Sequence, residues 1–181
     1  MHPMKKLAIA SLFTLGLCTA HAQMYGELGY TTVNLKDSFA GQSLKASPNG
    51  LRGILGYDIN PNLSAELMLG MSLGNATLKS NDPDVASTKV KVDRMWGIYL
   101  KPKMELAEGL EAFARLGFMD VKAKPIGATD VEPRSASGFS YGAGLSYALS
   151  KTTSLNLDYM HYGKKDQFTA KGFTAGIGFK F

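Results

Sequence analysis

From Gln23 to the last residue, apolar side chains return at every second position. The closing stretch "FTAGIGFKF", residues 173–181, puts Phe173, Ala175, Ile177, Phe179 and Phe181 on one side and Thr174, Gly176, Gly178 and Lys180 on the other. Period-two alternation marks a β-strand whose two faces meet different surroundings. Eight segments carry it: 23–34, 50–59, 63–74, 89–101, 110–121, 138–149, 153–162 and 171–181. Their lengths sit near the roughly 9–11 residues that a tilted strand needs to cross a bilayer. No segment sustains helical periodicity, and none after residue 23 is a candidate membrane-crossing helix.

The connections alternate in length. Residues 35–49, 75–88, 122–137 and 163–170 are long, polar and rich in turn formers. Between them lie "NPN" at 60–62, "PKMELAEG" at 102–109 and "SKT" at 150–152, read as short turns. One end therefore carries four loops, and the other carries three turns and both termini. That is the layout of a closed eight-stranded antiparallel up-and-down transmembrane β-barrel, with short periplasmic turns and longer external loops.

Alternation alone does not say which face looks inward, since a lipocalin alternates with its apolar face inside. Residue size decides. The apolar face is bulky, with Leu63, Leu67, Leu69, Met71 and Leu73 in segment three and Phe139, Tyr141, Leu145, Tyr147 and Leu149 in segment six. The opposite face is small, with Ser140, Gly142, Gly144, Ser146 and Ala148, then Gly172, Thr174, Gly176 and Gly178. A water-facing surface would carry long Lys and Glu side chains, whereas small residues fit the crowded interior of an eight-stranded barrel. The bulky face then meets lipid. Tyr30, Phe118, Phe139, Tyr141, Tyr159 and Phe173 fall toward its outer rim, and Tyr57, Tyr147, Phe179 and Phe181 toward its inner rim, as two aromatic girdles. The terminal Phe181 sits at the periplasmic interface, where the last strand closes on the first.

The first residues read differently. Lys5 and Lys6, the apolar run 7–17 and "AHA" at 20–22 predict a signal peptide over 1–22, initiated at Met1 or Met4, and a barrel domain over 23–181. Cleavage would remove the sole cysteine, Cys18, with His2 and His21, and would lower the formal charge from +5 by two lysines to +3. A lipoprotein anchored at Cys18 is disfavoured by the bulky Leu17 before it.

The ordered set of the signal segment, "YGELGYTTV", "MWGIYLKPK", "FSYGAGLSYAL" and "FTAGIGFKF" resembles the small eight-stranded outer-membrane barrels of the OmpA/OmpX type, across the whole mature chain. The resemblance implies a monomer in the outer membrane, among outer-membrane lipid and lipopolysaccharide. It implies export through the periplasm with chaperones and insertion by the barrel-assembly machinery. Phe181, with Phe173 and Phe179, would be the assembly signal in the closing strand. The expectation is a barrel without a peptidoglycan-binding domain.

The inward parity carries charges of both signs: Glu27, Arg52, Asp58, Glu66, Asp93, Lys101, Glu111, Arg115, Asp158 and Lys180. Buried charges persist only when paired and hydrogen-bonded, which predicts a salt-bridge network that plugs the lumen. Arg115, in mid-strand, is the expected hub, because its fork holds two carboxylates. Lys180 and Glu27, on the closing strands, are expected to pair across the seam. The competing reading is a gated, narrow path for solutes.

Catalysis has little to stand on. Some barrels of this size modify lipid A with a His, Ser and acidic triad, but the one histidine after residue 22 is His161, in "YMHYGKKD", with outward parity and no serine close behind it. One histidine and no cysteine leave no soft-metal site, and "NDPD" at 81–84 lacks calcium-loop spacing. "GAG" at 142–144 precedes no helix, so it is not a nucleotide fingerprint, and the dispersed basic residues do not form a nucleic-acid patch. No cofactor is expected. The loops keep the remaining potential: Lys164, Lys165 and Lys171 near the last loop, with Lys36, Lys45, Lys122, Lys124 and Arg134 on others, make a basic rim suited to lipopolysaccharide phosphates.

Overall fold

The computed structural model describes residues 23–39, 42–77, 89–126, 134–165 and 168–181. Ten strands follow one another: β1 (Met24–Phe39), β2 (Gln42–Ala46), β3 (Asn49–Asn60), β4 (Leu63–Ser72), β5 (Ala76–Thr77), β6 (Lys89–Ala107), β7 (Leu110–Ile126), β8 (Arg134–Ala148), β9 (Thr153–Lys165) and β10 (Phe168–Lys180). Eight of them pair antiparallel in the order β10-β9-β8-β7-β6-β4-β3-β1, and β10 pairs with β1 to close a barrel. The seam runs from Tyr25 opposite Lys180 to Lys36 opposite Thr169. The short strands β2 and β5 pair antiparallel with the loop-side ends of β1 and β6. The expected signal segment lies outside the described residues.

Alternation follows the pleat. Along β3, Arg52, Ile54, Gly56 and Asp58 are buried while Leu51, Leu55 and Tyr57 are exposed. Along β10, Ala170, Gly172, Thr174, Gly176 and Gly178 face in, and Phe173, Ile177 and Phe179 face out. The aromatics assigned to the two girdles are all exposed, from Tyr57 at 38% to Phe181 at 69%. Bulky apolar side chains so placed belong in lipid, and the buried core is the barrel interior.

Two features depart from the sequence expectation. The stretch 102–109 is mostly strand: β6 runs to Ala107, and the turn is Glu108–Gly109, with Gly109 at φ 75°. Pro102 and the charges after it imitate a loop, yet the strand continues past β4, held by Lys103 N donating to Asn62 O at 2.9 Å. The interior is also not uniformly small and polar. On the loop side it is apolar, with Val33, Leu35, Met68, Val92, Met95, Met119, Val121, Met160 and Tyr162 buried together. Unbranched methionine fills such irregular gaps well.

Glycine makes room for the large interior groups. A Cβ on Gly56 would collide with the Tyr25 ring, and one on Gly144 would lie 2.5 Å from Phe113 Cζ and 2.7 Å from Asp158 Cβ. The Tyr25 ring cannot yield freely, because its hydroxyl donates to Glu66 Oε1 at 2.6 Å. Gly56→Val is therefore expected to lower the unfolding free energy by about 1–3 kcal/mol, the usual cost of overpacking. Gly53→Val, at a site with nothing within 4 Å, is expected to cost much less. Urea unfolding of both variants in lipid vesicles measures the difference.

Candidate functional site

The interior narrows to a layer of paired charges. Arg115 on β7 and Arg52 on β3 are both fully buried. Arg115 Nε donates to Glu66 Oε2 at 2.6 Å, its Nη1 to Asp158 Oδ2 at 2.6 Å and its Nη2 to Glu27 Oε2 at 2.8 Å. Arg52 Nη1 donates to Asp158 Oδ1 at 2.8 Å and its Nη2 to Glu27 Oε1 at 2.9 Å, with a further bond from Nη2 to Asp158 Oδ2. Arg52 works through its two terminal nitrogens, whereas Arg115 uses its whole fork on three carboxylates. These five groups come from β1, β3, β4, β7 and β9, so the layer spans the lumen.

The strands position this layer through glycine. The register partner of Arg52 is Gly29 and that of Arg115 is Gly142, so neither guanidinium meets a side chain from the residue beside it. Each reaches diagonally across the lumen instead. Phe113 lies under the Arg115 guanidinium, 4.6 Å from its ring centroid. Lys101 extends the layer toward the periplasm, 3.8 Å from Glu66 and 4.0 Å from Glu111, with its ammonium 4.4 Å from the Phe113 ring centroid. Three buried cations, Arg52, Arg115 and Lys101, thus stand among three buried carboxylates, Glu27, Glu66 and Asp158.

The other inward charges lie elsewhere. Asp58 forms a separate pair nearer the periplasmic mouth, accepting from Lys103 Nζ at 2.8 Å and from Ser64 Oγ at 2.6 Å. Glu111 touches the layer only through Lys101 and keeps 30% exposure. Asp93 sits half-buried at a bulge of β6, between Val92 and Arg94 and away from this layer. The expected Glu27–Lys180 pair is not formed: both Glu27 oxygens are taken by arginine, and Lys180 is exposed at the end of β10, opposite Tyr25. Parity put both on one face, but the guanidinium forks reach Glu27 first.

Sequence reasoning missed Tyr25, Ser64 and Lys103. Lys103 was hidden in the supposed turn, although its spacing of two from Lys101 carried the inward parity. Reasoning from charge also passed over a neutral layer toward the loops. There Thr174 donates to Thr31 at 3.0 Å, Thr31 and Tyr162 hydroxyls lie 3.4 Å apart, and Tyr99 donates to Ser140 at 2.9 Å. At the periplasmic mouth a cavity of about 390 Å³ reaches down to Tyr25 and Lys101, with Lys103, Glu105, Glu111 and Lys180 on its walls.

Outside the barrel, Phe173, Phe179 and Phe181 are exposed, and Phe181 N donates to Met24 O at 3.0 Å, extending the seam by one bond. His161 stacks on Tyr141, 4.9 Å between centroids and 5° between planes. A serine of the neighbouring strand, Ser140, faces the interior and donates to the main-chain oxygen of His161 at 3.0 Å, on the other side of the sheet from the ring. Among the described residues, no group of three metal-ligating side chains comes together. Of the basic rim, Lys36 and Lys171 are exposed and Lys122 is half-buried, while the side chains of Lys45, Lys124, Arg134, Lys164 and Lys165 lie outside the description.

Residues 7–181 match the family described as the outer membrane protein beta-barrel domain. The chain belongs to this family. It is an integral β-barrel protein of the outer membrane. Among solved structures it is similar to Ail, the attachment invasion locus protein of Yersinia pestis, at 19% identity and a TM-score of 0.64, over 88% of this chain and 99% of that one. Neisserial surface protein A matches at 18% identity and a TM-score of 0.68, with the same coverage of 88% and 99%. OprG of Pseudomonas aeruginosa matches at 12% identity and 0.65, over 88% of this chain and 96% of its own. At such identities the likeness carries the fold alone. No curated protein sequence matches the chain significantly.

Truncating one member of this layer leaves opposite charges buried without a partner, which typically costs about 3–5 kcal/mol. Arg115→Met is expected to lose stability in that range. Adding Glu66→Gln to Arg115→Met is expected to recover part of the loss, because one stranded charge is removed. Urea unfolding of the two variants against the parent protein checks both statements.

Proposed function

We propose that this protein is a non-catalytic outer-membrane barrel whose lumen is closed and whose role is carried by its outer surface, in support of the envelope or in surface interaction. The observation that carries the reading is the pairing of Arg52 and Arg115 with Glu27, Glu66 and Asp158 across the lumen. Beyond that layer, Met68 and Met160 are fully buried. An ion crossing would have to displace the arginine bonds and then shed its water among apolar side chains, and both steps are costly. Ail, a barrel of the same fold, has been crystallised with the heparin analogue sucrose octasulfate, a precedent for surface interaction on this scaffold.

The apolar outer half of the lumen favours a second reading, a narrow channel for small apolar solutes. A lipid A-modifying activity has less support, since the His161 ring and the Ser140 hydroxyl lie on opposite sides of the sheet. Mass spectrometry of lipid A is expected to give the same acyl pattern with and without expression.

Planar-bilayer recording tests the closed lumen. The purified barrel is expected to give no steady single-channel steps at physiological salt. Steady conductance would overturn the closed-lumen reading in favour of the channel. An Arg115→Ala/Arg52→Ala variant that still folds is expected to conduct weakly at most, because Met68 and Met160 still fill the bore beyond the layer.

A further inference from the structure

On the lipid-facing side, main-chain pairing aligns one row of residues across five strands. Asn34 of β1 stands opposite Lys171 of β10, Lys171 opposite His161 of β9, His161 opposite Tyr141 of β8, and Tyr141 opposite Leu116 of β7. The Lys171–His161 pair closes the uninterrupted ladder that starts at Phe179–Thr153, and a register shift follows it on the loop side. Two residues toward the loops, Lys36 of β1 stands opposite Thr169. Two residues toward the periplasm, Phe173 stands opposite Tyr159, both exposed.

The row runs from cationic to aromatic. Lys36 and Lys171 are exposed on adjacent strands, two residues apart in register. The His161 and Tyr141 rings stack nearly parallel, and Tyr141 stacks in turn on Phe139 at 6.0 Å. Among the described outward side chains of β1, β9 and β10 there is no carboxylate from one end of the barrel to the other. The described outward-facing lysines of these strands, Lys36 and Lys171, lie just outside an aromatic belt, at the level where aromatic girdles meet lipid headgroups. The lysine stems can lie along the apolar face with the ammonium groups at the interface.

We propose that the outer end of the β1–β10–β9 face is a docking site for lipid A, the phosphorylated disaccharide lipid of the outer leaflet. Lys171 and Lys36 meet its phosphate, the His161–Tyr141 stack shelves the sugar, and Phe173 and Tyr159 lie along its acyl chains. Lipid A is chosen over a glycerophospholipid on two grounds. The site lies at the loop end of the barrel, which faces the outer leaflet, and it sets two cations beside a stacked pair of aromatic rings that a sugar can pack against. The inference rests on the barrel's place in the outer membrane and not on the closed lumen. A conducting barrel would leave it intact.

The test titrates the purified, detergent-solubilised barrel with bisphosphorylated lipid A, with dephosphorylated lipid A and with phosphatidylglycerol. Each lysine near an anionic membrane surface is worth about 1 kcal/mol, roughly fivefold, so losing both is expected to weaken lipid A binding by roughly tenfold or more in K36Q/K171Q. K151Q, in an exposed periplasmic turn, serves as the control and is expected to bind like the parent. Dephosphorylated lipid A and phosphatidylglycerol are both expected to bind the parent protein more weakly than bisphosphorylated lipid A. Equal binding by K36Q/K171Q and the parent would overturn the proposal. So would equal binding of phosphorylated and dephosphorylated lipid A, or of phosphatidylglycerol and lipid A. Heat-dependent gel mobility verifies that the variant is folded, and the three titrations of the parent protein decide the matter if it is not.

Discussion

Everything in this molecule follows from the absence of water in a bilayer. A main-chain N–H or C=O exposed to hydrocarbon has no partner, so a sheet that crosses a membrane must leave no open edge. The pairing of β1 with β10 removes both edges at once. It draws on nearly the whole of both strands, from Tyr25 to Lys36 and from Thr169 to Lys180, and the Phe181 amide adds a final bond to Met24. Closure in turn fixes the interior. Eight strands enclose a bore just wide enough to be filled by side chains, so what lines it must also pack it.

Two chemistries fill that bore. Near the middle, arginine forks and carboxylates satisfy one another; toward the loops, methionine, valine and tyrosine pack as in an ordinary core. The glycines of the small face let both coexist. Gly29 and Gly142 stand beside Arg52 and Arg115 in the ladder, and Gly56 lies under Tyr25. The bulky outer face does no packing of this kind. It supplies a smooth apolar wall, broken at the outer end of β1, β9 and β10 by Lys36, His161 and Lys171.

The barrel was legible in the sequence because lipid imposes one chemistry on every second residue. Size contrast between Leu67 or Phe139 and Gly142 or Gly144 was enough to orient the faces. What parity could not supply was height and reach. Strands in a barrel are tilted and staggered, so groups that meet across the lumen are not ladder partners. Arg52 stands opposite Gly29 yet binds Glu27 and Asp158, while Lys180, on the same face as Glu27, ends at the rim. Pro102 misled for a different reason. Proline cannot donate to a ladder, and its place beside the last pair of β4, opposite Leu63, makes that loss tolerable.

The charged layer also says how the chain must come together. Arg52 is bonded to Glu27, 25 residues away, and to Asp158, 106 residues away, while Arg115 is bonded to Glu27 at a separation of 88. No contiguous half of the barrel contains the whole network. A sheet of the first strands alone holds Arg52 without Asp158, and one of the last strands holds Arg115 without Glu27 or Glu66. A half-built sheet therefore carries only part of the bond set of each arginine into a medium that punishes unmet polar groups, and the set is completed when the ring closes. The same bonds that fill the bore tie the two halves of the chain to one another.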